Sequence, residues 1–184
     1  MLSLAPNHAL AHLWLGWVYI LTKRAEQGIN EFEQALALEP VHATASSGIG
    51  YAKVLLGRAE ETEAHVNEAL RLSPRDTYAY LWMAWVGFAN VHLHRDTEAV
   101  AWLRRGLEAN RNYSVAHFYL AAALARLGET CQARVAVQAG LALDPTFTIR
   151  RWRGPNIARS DNPTFLAGCE RTIEGMRLAG VPEG

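Results

Sequence analysis

Leu-Ala-Pro at 4–6, Leu-Glu-Pro at 38–40, Leu-Ser-Pro at 72–74 and Leu-Asp-Pro at 143–145 decide the fold of this chain. The prolines stand at 6, 40, 74 and 145, two intervals of 34 residues followed by one of 71, which is two such periods plus three. The absent proline falls near Arg111, inside Ala109-Asn110-Arg111-Asn112, which reads as another helix end with arginine in its place. Proline follows helix ends because it cannot continue them. A period of this length is that of a helix–turn–helix unit whose apolar faces are buried only on neighbouring units, so an all-α solenoid is expected.

Between the prolines a second grammar runs in register. Small residues recur at Gly16, Gly50, Gly87 and Ala121, each after an apolar residue (Leu15, Ile49, Val86, Leu120). Others recur at Ala35, Ala69, Gly106 and Gly140, each before a leucine (Leu36, Leu70, Leu107, Leu141). Such alternation of small and bulky residues suits helices that cross closely. Lys23-Arg24, Gly57-Arg58, His94-Arg95 and Gly128-Glu129 mark the turns within each pair, where a positive φ ends a helix. Helix pairs are expected at 9–22 with 25–38, 43–56 with 59–72, 77–92 with 96–109, and 114–127 with 130–143. The three extra residues belong in 75–84, because Gly50 and Gly87 already lie 37 apart.

These residues resemble the tetratricopeptide repeat (TPR) family. Its pattern maps on the first repeat as Leu15-Gly16, Tyr19, Phe32, Ala35 and Pro40, with His12 and Gly28 as departures. The second carries Ile49-Gly50, Ala69 and Pro74 but has Lys53 and Val66 at the aromatic positions. The third keeps Val86-Gly87 and Ala99, and the fourth Leu120-Ala121, Ala133 and Pro145. The resemblance implies a right-handed TPR solenoid of four repeats, 9–42, 43–76, 77–113 and 114–147. A remnant of a preceding repeat would occupy 1–8, and a connector with a C-terminal capping helix 148–184. On this reading the chain is a piece of a longer protein.

After Pro145 a short helical stretch is expected to stop at Gly154-Pro155. Asn162-Pro163 then opens a helix, with asparagine as cap and proline in the first turn. Phe165, Leu166, Cys169, Ile173 and Met176 give that helix one apolar face, expected to cover the last repeat, and Gly180 and Pro182 stop it. The ending Met176-Arg177-Leu178-Ala179-Gly180-Val181-Pro182-Glu183 is similar to the tails of bacterial signalling proteins. In those, a nucleotide-cyclase or winged-helix domain precedes TPRs.

Composition bounds the chemistry. Half of the 184 residues are hydrophobic, a fifth are charged, and the net charge is zero, which leaves no electrostatic case for nucleic acid or an anionic membrane as partner. Cys131 and Cys169 fall in different helices and read as reduced thiols of a cytoplasmic protein. His92 and His94 read as solvated turn residues, and Glu60-Glu61 as a solvated face. No phosphate loop, serine elbow or zinc spacing occurs, so no catalytic residue, cofactor or metal site is expected.

The resemblance implies a partner-binding groove lined by the first helix of each repeat. Those positions carry Leu13, Trp17, Ser47, Tyr51, Ala84, Phe88, Phe118 and Ala122. Aromatic anchors dominate interface energies, so Trp17, Tyr51 and Phe88 are the expected stripe. The alternative is that they pack on their neighbours or under the C-terminal helix. Leu13, Trp17 and Ser47 also replace the polar clamp by which chaperone-binding TPRs hold a carboxylate. Leu10, Trp14 and Val18 repeat every four residues on the first edge, where self-association is expected. The function read from the sequence is a non-catalytic protein or peptide scaffold. The alternative is a regulatory or dimerisation segment of a signalling enzyme such as an adenylate or guanylate cyclase.

Overall fold

The computed structural model describes residues 8–184, so the remnant expected at 1–8 lies outside the described residues except for His8. Four antiparallel helix pairs follow one another. They are α1 (Ala9–Leu21) with α2 (Ala25–Leu38), α3 (Ala43–Leu55) with α4 (Thr62–Leu72), α5 (Ala79–His92) with α6 (Asp96–Ala109), and α7 (Ser114–Arg126) with α8 (Thr130–Leu143). A short 3-10 turn, Ala59–Glu61, leads into α4. Two further helices, α9 (Ile149–Ile157) and α10 (Pro163–Ala179), end the chain, and no strand occurs among the described residues.

The turns inside the pairs follow one conformation. Lys23, Gly57, His94 and Gly128 all hold a positive φ, 62°, 73°, 61° and 81° respectively. Two of the four are not glycine, and each of these holds its left-handed backbone at a cost of about 1 kcal/mol. The links between pairs share a conformation too. Glu39, Ser73 and Asp144 are extended, as the prolines after them require. Asn110, which precedes Arg111, is extended without that constraint. Its side chain supplies a substitute by accepting the Asn112 amide at 3.0 Å. The extra residues of the third repeat divide between a longer link, 73–78 against 39–42, and a longer first helix, α5 against α3.

Small residues stand at the crossings. Phe32 of α2 lies between Gly16 of α1 and Gly48 of α3, and a Cβ on either glycine would come within 2.6 or 2.7 Å of its ring. Phe118 occupies the same kind of space opposite Gly140, 2.7 Å from where a Cβ would stand. Gly50 meets Thr62 O and His65 Cβ of α4 in the same sense, both at 3.1 Å. Burying a phenylalanine of this kind stabilises by roughly 1.5–3 kcal/mol. Each second helix also packs on the next first helix (α2 on α3, α4 on α5, α6 on α7), which chains the pairs into one solenoid.

The C-terminal segment departs from expectation in two ways. α9 does not stop at Gly154-Pro155; it carries Pro155 inside and ends two residues later, with the Ala158 amide returning to Gly154 O. A proline there removes the amide that would have reached Arg151 O, a loss that only the first turn of a helix avoids, and α9 ends within two residues of it. α10 begins and ends as expected: Asn162 Oδ1 accepts the amides of Thr164 and Phe165 at 2.9 and 3.1 Å, and Gly180 takes φ 87°. It caps α7, the last first helix, but extends beyond it across α5. The closing helix therefore lies along the side formed by the first helices, not only over the end.

Candidate functional site: the first-helix face

The first helices α1, α3, α5 and α7 form the inner face of the solenoid, and its two ends differ. α9 and α10 make a hairpin along the end formed by α3, α5 and α7. The turn between them reaches back to the first and second pairs. There Lys23 Nζ meets Asp161 at 2.6 Å, Ser160 Oγ donates to Leu55 O at 2.7 Å, and Asn162 Nδ2 donates to Leu56 O at 3.0 Å. The tail then returns to the start of α9, where Ile149 and Arg150 donate their amides to Pro182 O and Glu183 O at 2.9 Å.

Under this hairpin the expected aromatic stripe becomes part of a core. Phe88 stacks on Tyr119, ring centres 4.9 Å apart, and Trp152 of α9 stands edge-on to both while its indole donates to the Tyr119 hydroxyl at 3.2 Å. Tyr51 is 6 % exposed, Phe88 2 % and Phe118 0 %. The Tyr51 hydroxyl accepts from Arg159 in the hairpin turn, and burial raises the pKa of both Tyr51 and Tyr119. Leu13, Ser47, Ala84 and Ala122 are buried as well. Ser47 spends its hydroxyl on Thr44 O at 3.0 Å, and Ala122 lies 2.9 Å from where a Cβ on Gly175 would stand. Of the eight expected groove residues only Trp17 keeps partial exposure. On α5 and α7 the physical reason is that α10 offers its own apolar face, Phe165, Cys169, Ile173 and Met176, with glycines at 168 and 175 where it approaches them. Leu13, Ser47, Ala84 and Phe118 are instead buried by packing among the repeat helices.

A polar cluster sits at the seat of α10. Arg171 is buried, donates through Nε to Val91 O at 2.7 Å and pairs with Asp96. Arg126 lies 3.7 Å from the same carboxylate and 2.8 Å from Glu174. His92 is not the solvated turn residue the sequence suggested. Its ring packs on Phe88 at 4.2 Å and Phe165 at 5.7 Å, beside Gly168. Burial, with the Arg171 charge adding to it, pushes its pKa down to about 3.

The other end of the face is open. Trp14, Trp17, Thr44, Tyr78, Leu81, Trp82 and Trp85 line a cleft of about 370 Å³ without a charged side chain. Trp85 reaches over α3, where the residues are small, to lie 4.8 Å from Tyr51 and 5.6 Å from Trp17. The floor, Trp82, is fully buried, whereas Trp14 on the rim is 66 % exposed. Leu10, Val18 and Leu21 continue the exposed surface along α1, a helix with no charged residue. The expected edge residues Leu10, Trp14 and Val18 thus share one exposed face with the cleft. Sequence reasoning missed Tyr78, Leu81, Trp82 and Trp85 as cleft residues. A signal existed: Trp-x-x-Trp occurs at 14–17 and again at 82–85.

Among the described residues no group of histidine, cysteine and acidic side chains is arranged to hold a metal, and no helix is long and apolar enough to cross a membrane. Cys131 and Cys169 are both free thiols.

Residues 9–42 match the family model described as Tetratricopeptide repeat. Among curated proteins none matches the chain in sequence. Solved structures share its architecture. YrrB, described as a TPR protein with an unusual peptide-binding site, aligns over 95 % of this chain and 91 % of its own at 21 % identity and a TM-score of 0.62. PilW, described as a widely conserved type IV pilus biogenesis factor, aligns over 93 % and 76 % at 20 % identity and a TM-score of 0.72. PilF of Pseudomonas aeruginosa aligns over 79 % and 65 % at 20 % identity and 0.71. At these identities the likeness is one of fold, and that fold is the tetratricopeptide-repeat solenoid.

Proposed function

We propose that this chain, with its tetratricopeptide-repeat fold, is a non-catalytic protein-interaction scaffold whose contact surface is the first-helix face. The observation that carries the reading is the uncharged, exposed surface of α1, Leu10, Trp14, Val18 and Leu21, continuous with the tryptophan-lined cleft. Exposed apolar patches of this kind mark contact surfaces, and tryptophan is the residue that most often anchors them. The peptide-binding site named for YrrB supports a peptide or protein as the occupant class.

The partner is a protein, a peptide or a second copy of this chain, not nucleic acid or membrane, and the setting is a larger bacterial cytoplasmic protein. A surface that is free of charge can meet its own copy without like-charge repulsion, which suits self-association through α1. The second reading is a regulatory or dimerisation segment of a signalling enzyme such as an adenylate or guanylate cyclase. The occupation of half the face by the chain's own hairpin favours it.

Trp14→Ala tests the reading. The variant should unfold within about 0.5 kcal/mol of the parent, as exposed positions do. It should lose self-association in sedimentation, or capture of partners from its own cell extract, by at least tenfold. A parent that stays monomeric at high concentration and captures nothing that Trp14→Ala fails to capture overturns the reading.

A further inference from the structure

Every buried side-chain nitrogen or oxygen that lacks a hydrogen-bond partner among the described residues lies at one place. These atoms are His92 Nε2, Asp96 Oδ1 and Arg126 Nε, and all three surround the seat of α10. Elsewhere the hairpin is held well, by Asn162, Ser160 and the apolar face of α10. Groups left unsatisfied on docking but free to meet water on release weaken a docked state selectively. A helix that covers an aromatic face, over a seat that is short of hydrogen bonds, has the construction of a detachable cover.

We propose that α10 is an acid-released cover of the first-helix face, with His92 as its trigger. The proposal rests on the reading that this face binds partners, and adds how access to it is governed. His92 sits where a charge is least welcome. Phe88 lies on one side, Phe165 and Gly168 of α10 on the other, and no acceptor reaches Nε2. The charged groups around the seat are Asp96 of α6, Arg126 of α7, and Glu170, Arg171, Glu174 and Arg177 of α10, with His94 in the adjoining turn and the Cys169 thiol next to Glu170. Asp96 is already engaged by Arg171 and Arg126, and the Arg171 charge acts against a proton on the imidazole.

The sign follows from the depressed value. Docked, His92 titrates at about 3, against 6.5 for the free side chain. Docking is therefore at full strength above pH 6.5 and weakens as pH falls from there towards 3. The loss is at most tenfold per pH unit, and at most about a hundredfold at pH 4.5, because Phe88 stays on the ring after α10 leaves. Release would bare the seat itself, the surface of α5 at His92 and of α7 at Ala122, to a partner.

Cys169 reports the cover directly, because it is fully buried in α10, while exposed Cys131 is an internal control. The full chain is treated with a dithiodipyridine reagent, which reacts with thiols in acid, between pH 7 and 4.5. Labelling is read as the ratio of Cys169 to Cys131, and helicity is followed by circular dichroism. The ratio should rise by about tenfold to a hundredfold in the parent with helicity kept, and stay flat in His92→Phe and His92→Gln. A flat ratio in the parent, an equal rise in either folded variant, or loss of the whole helical signal with the rise overturns the proposal. Capture of protein from its own cell extract at pH 7 and at pH 4.5 tests the face itself. If Cys169 opens in acid and nothing further is captured, the cover stands and the binding role of the covered face falls.

Discussion

The two ends of the first-helix face carry the same kind of residue and meet different fates. At the end formed by α5 and α7, Phe88 and Tyr119 are sealed under α9 and α10 and serve as core. At the α1 end, Trp14 and Trp17 face a cleft that no described segment fills. Aromatic content alone therefore does not tell a binding stripe from a core. What separates them is whether a second apolar surface of the same chain can reach them. α10 is 17 residues long, and by about 1.5 Å per residue it spans some 25 Å, enough for α5 and α7 but not for α1 as well.

Four substitutions sharpen or break this contrast. The largest effect is expected from Phe165→Ala, which empties a buried site between α10 and His92. The hairpin should lose about 3–5 kcal/mol of docking while the solenoid keeps its fold. Hydrogen exchange should then show α10 amides opening and α3 amides unchanged; equal opening of both would mean that the two ends are one cooperative unit.

Tyr51→Ala comes next, at about 3 kcal/mol, because Tyr51 is packed beneath Trp85 and holds Arg159. It should cost more than Leu70→Ala, since Leu70 is only partly buried, which reverses the order that a solvent-facing stripe would give. Denaturant unfolding of the two variants settles the order. Gly50→Leu should cost about 1–3 kcal/mol by forcing α3 away from Thr62 and His65. A thermal midpoint equal to the parent's would show that α3 and α4 do not cross there.

The smallest effect is a gain. His94→Gly relieves a positive φ of 61° and should raise stability by several tenths of a kcal/mol in the same unfolding assay. Any loss would mean that the His94 side chain holds a contact at the edge of the α10 seat.

The solenoid was readable because its rules are local. Pro40, Pro74 and Pro145 fix the links, Gly57 and Gly128 fix the turns, and every observed paired helix lies within three residues of its expected span. Even the lost proline at 111 left a trace in Asn110. The site was less readable because its decisive contacts are not local. Nothing near Phe165 in the chain says that its ring will meet His92, and nothing near His92 says that the turn it ends will be roofed over. Thr44, Ser47 and Gly48 gave no hint that their small size lets tryptophans of α1 and α5 meet above them. Trp14-x-x-Trp17 and Trp82-x-x-Trp85 were visible, but they stand in different registers, Trp17 one residue after Gly16 and Trp85 two before Gly87, so no single repeat position joins the two pairs.

The contact between Lys23 and Asp161 joins residues 138 apart, and those of Ser160 with Leu55 and Asn162 with Leu56 join residues 105 and 106 apart, in a molecule whose repeats are built from neighbours. A chain leaving the ribosome from its N-terminus forms the helix pairs as they emerge, since each needs only local sequence. The contacts that close the face come from α9 and α10, which are made after all four pairs. Each new molecule therefore passes through an interval in which Tyr51, Phe88 and Tyr119 are bare, and whatever recognises that stripe has its first opportunity before residues 149–179 have emerged.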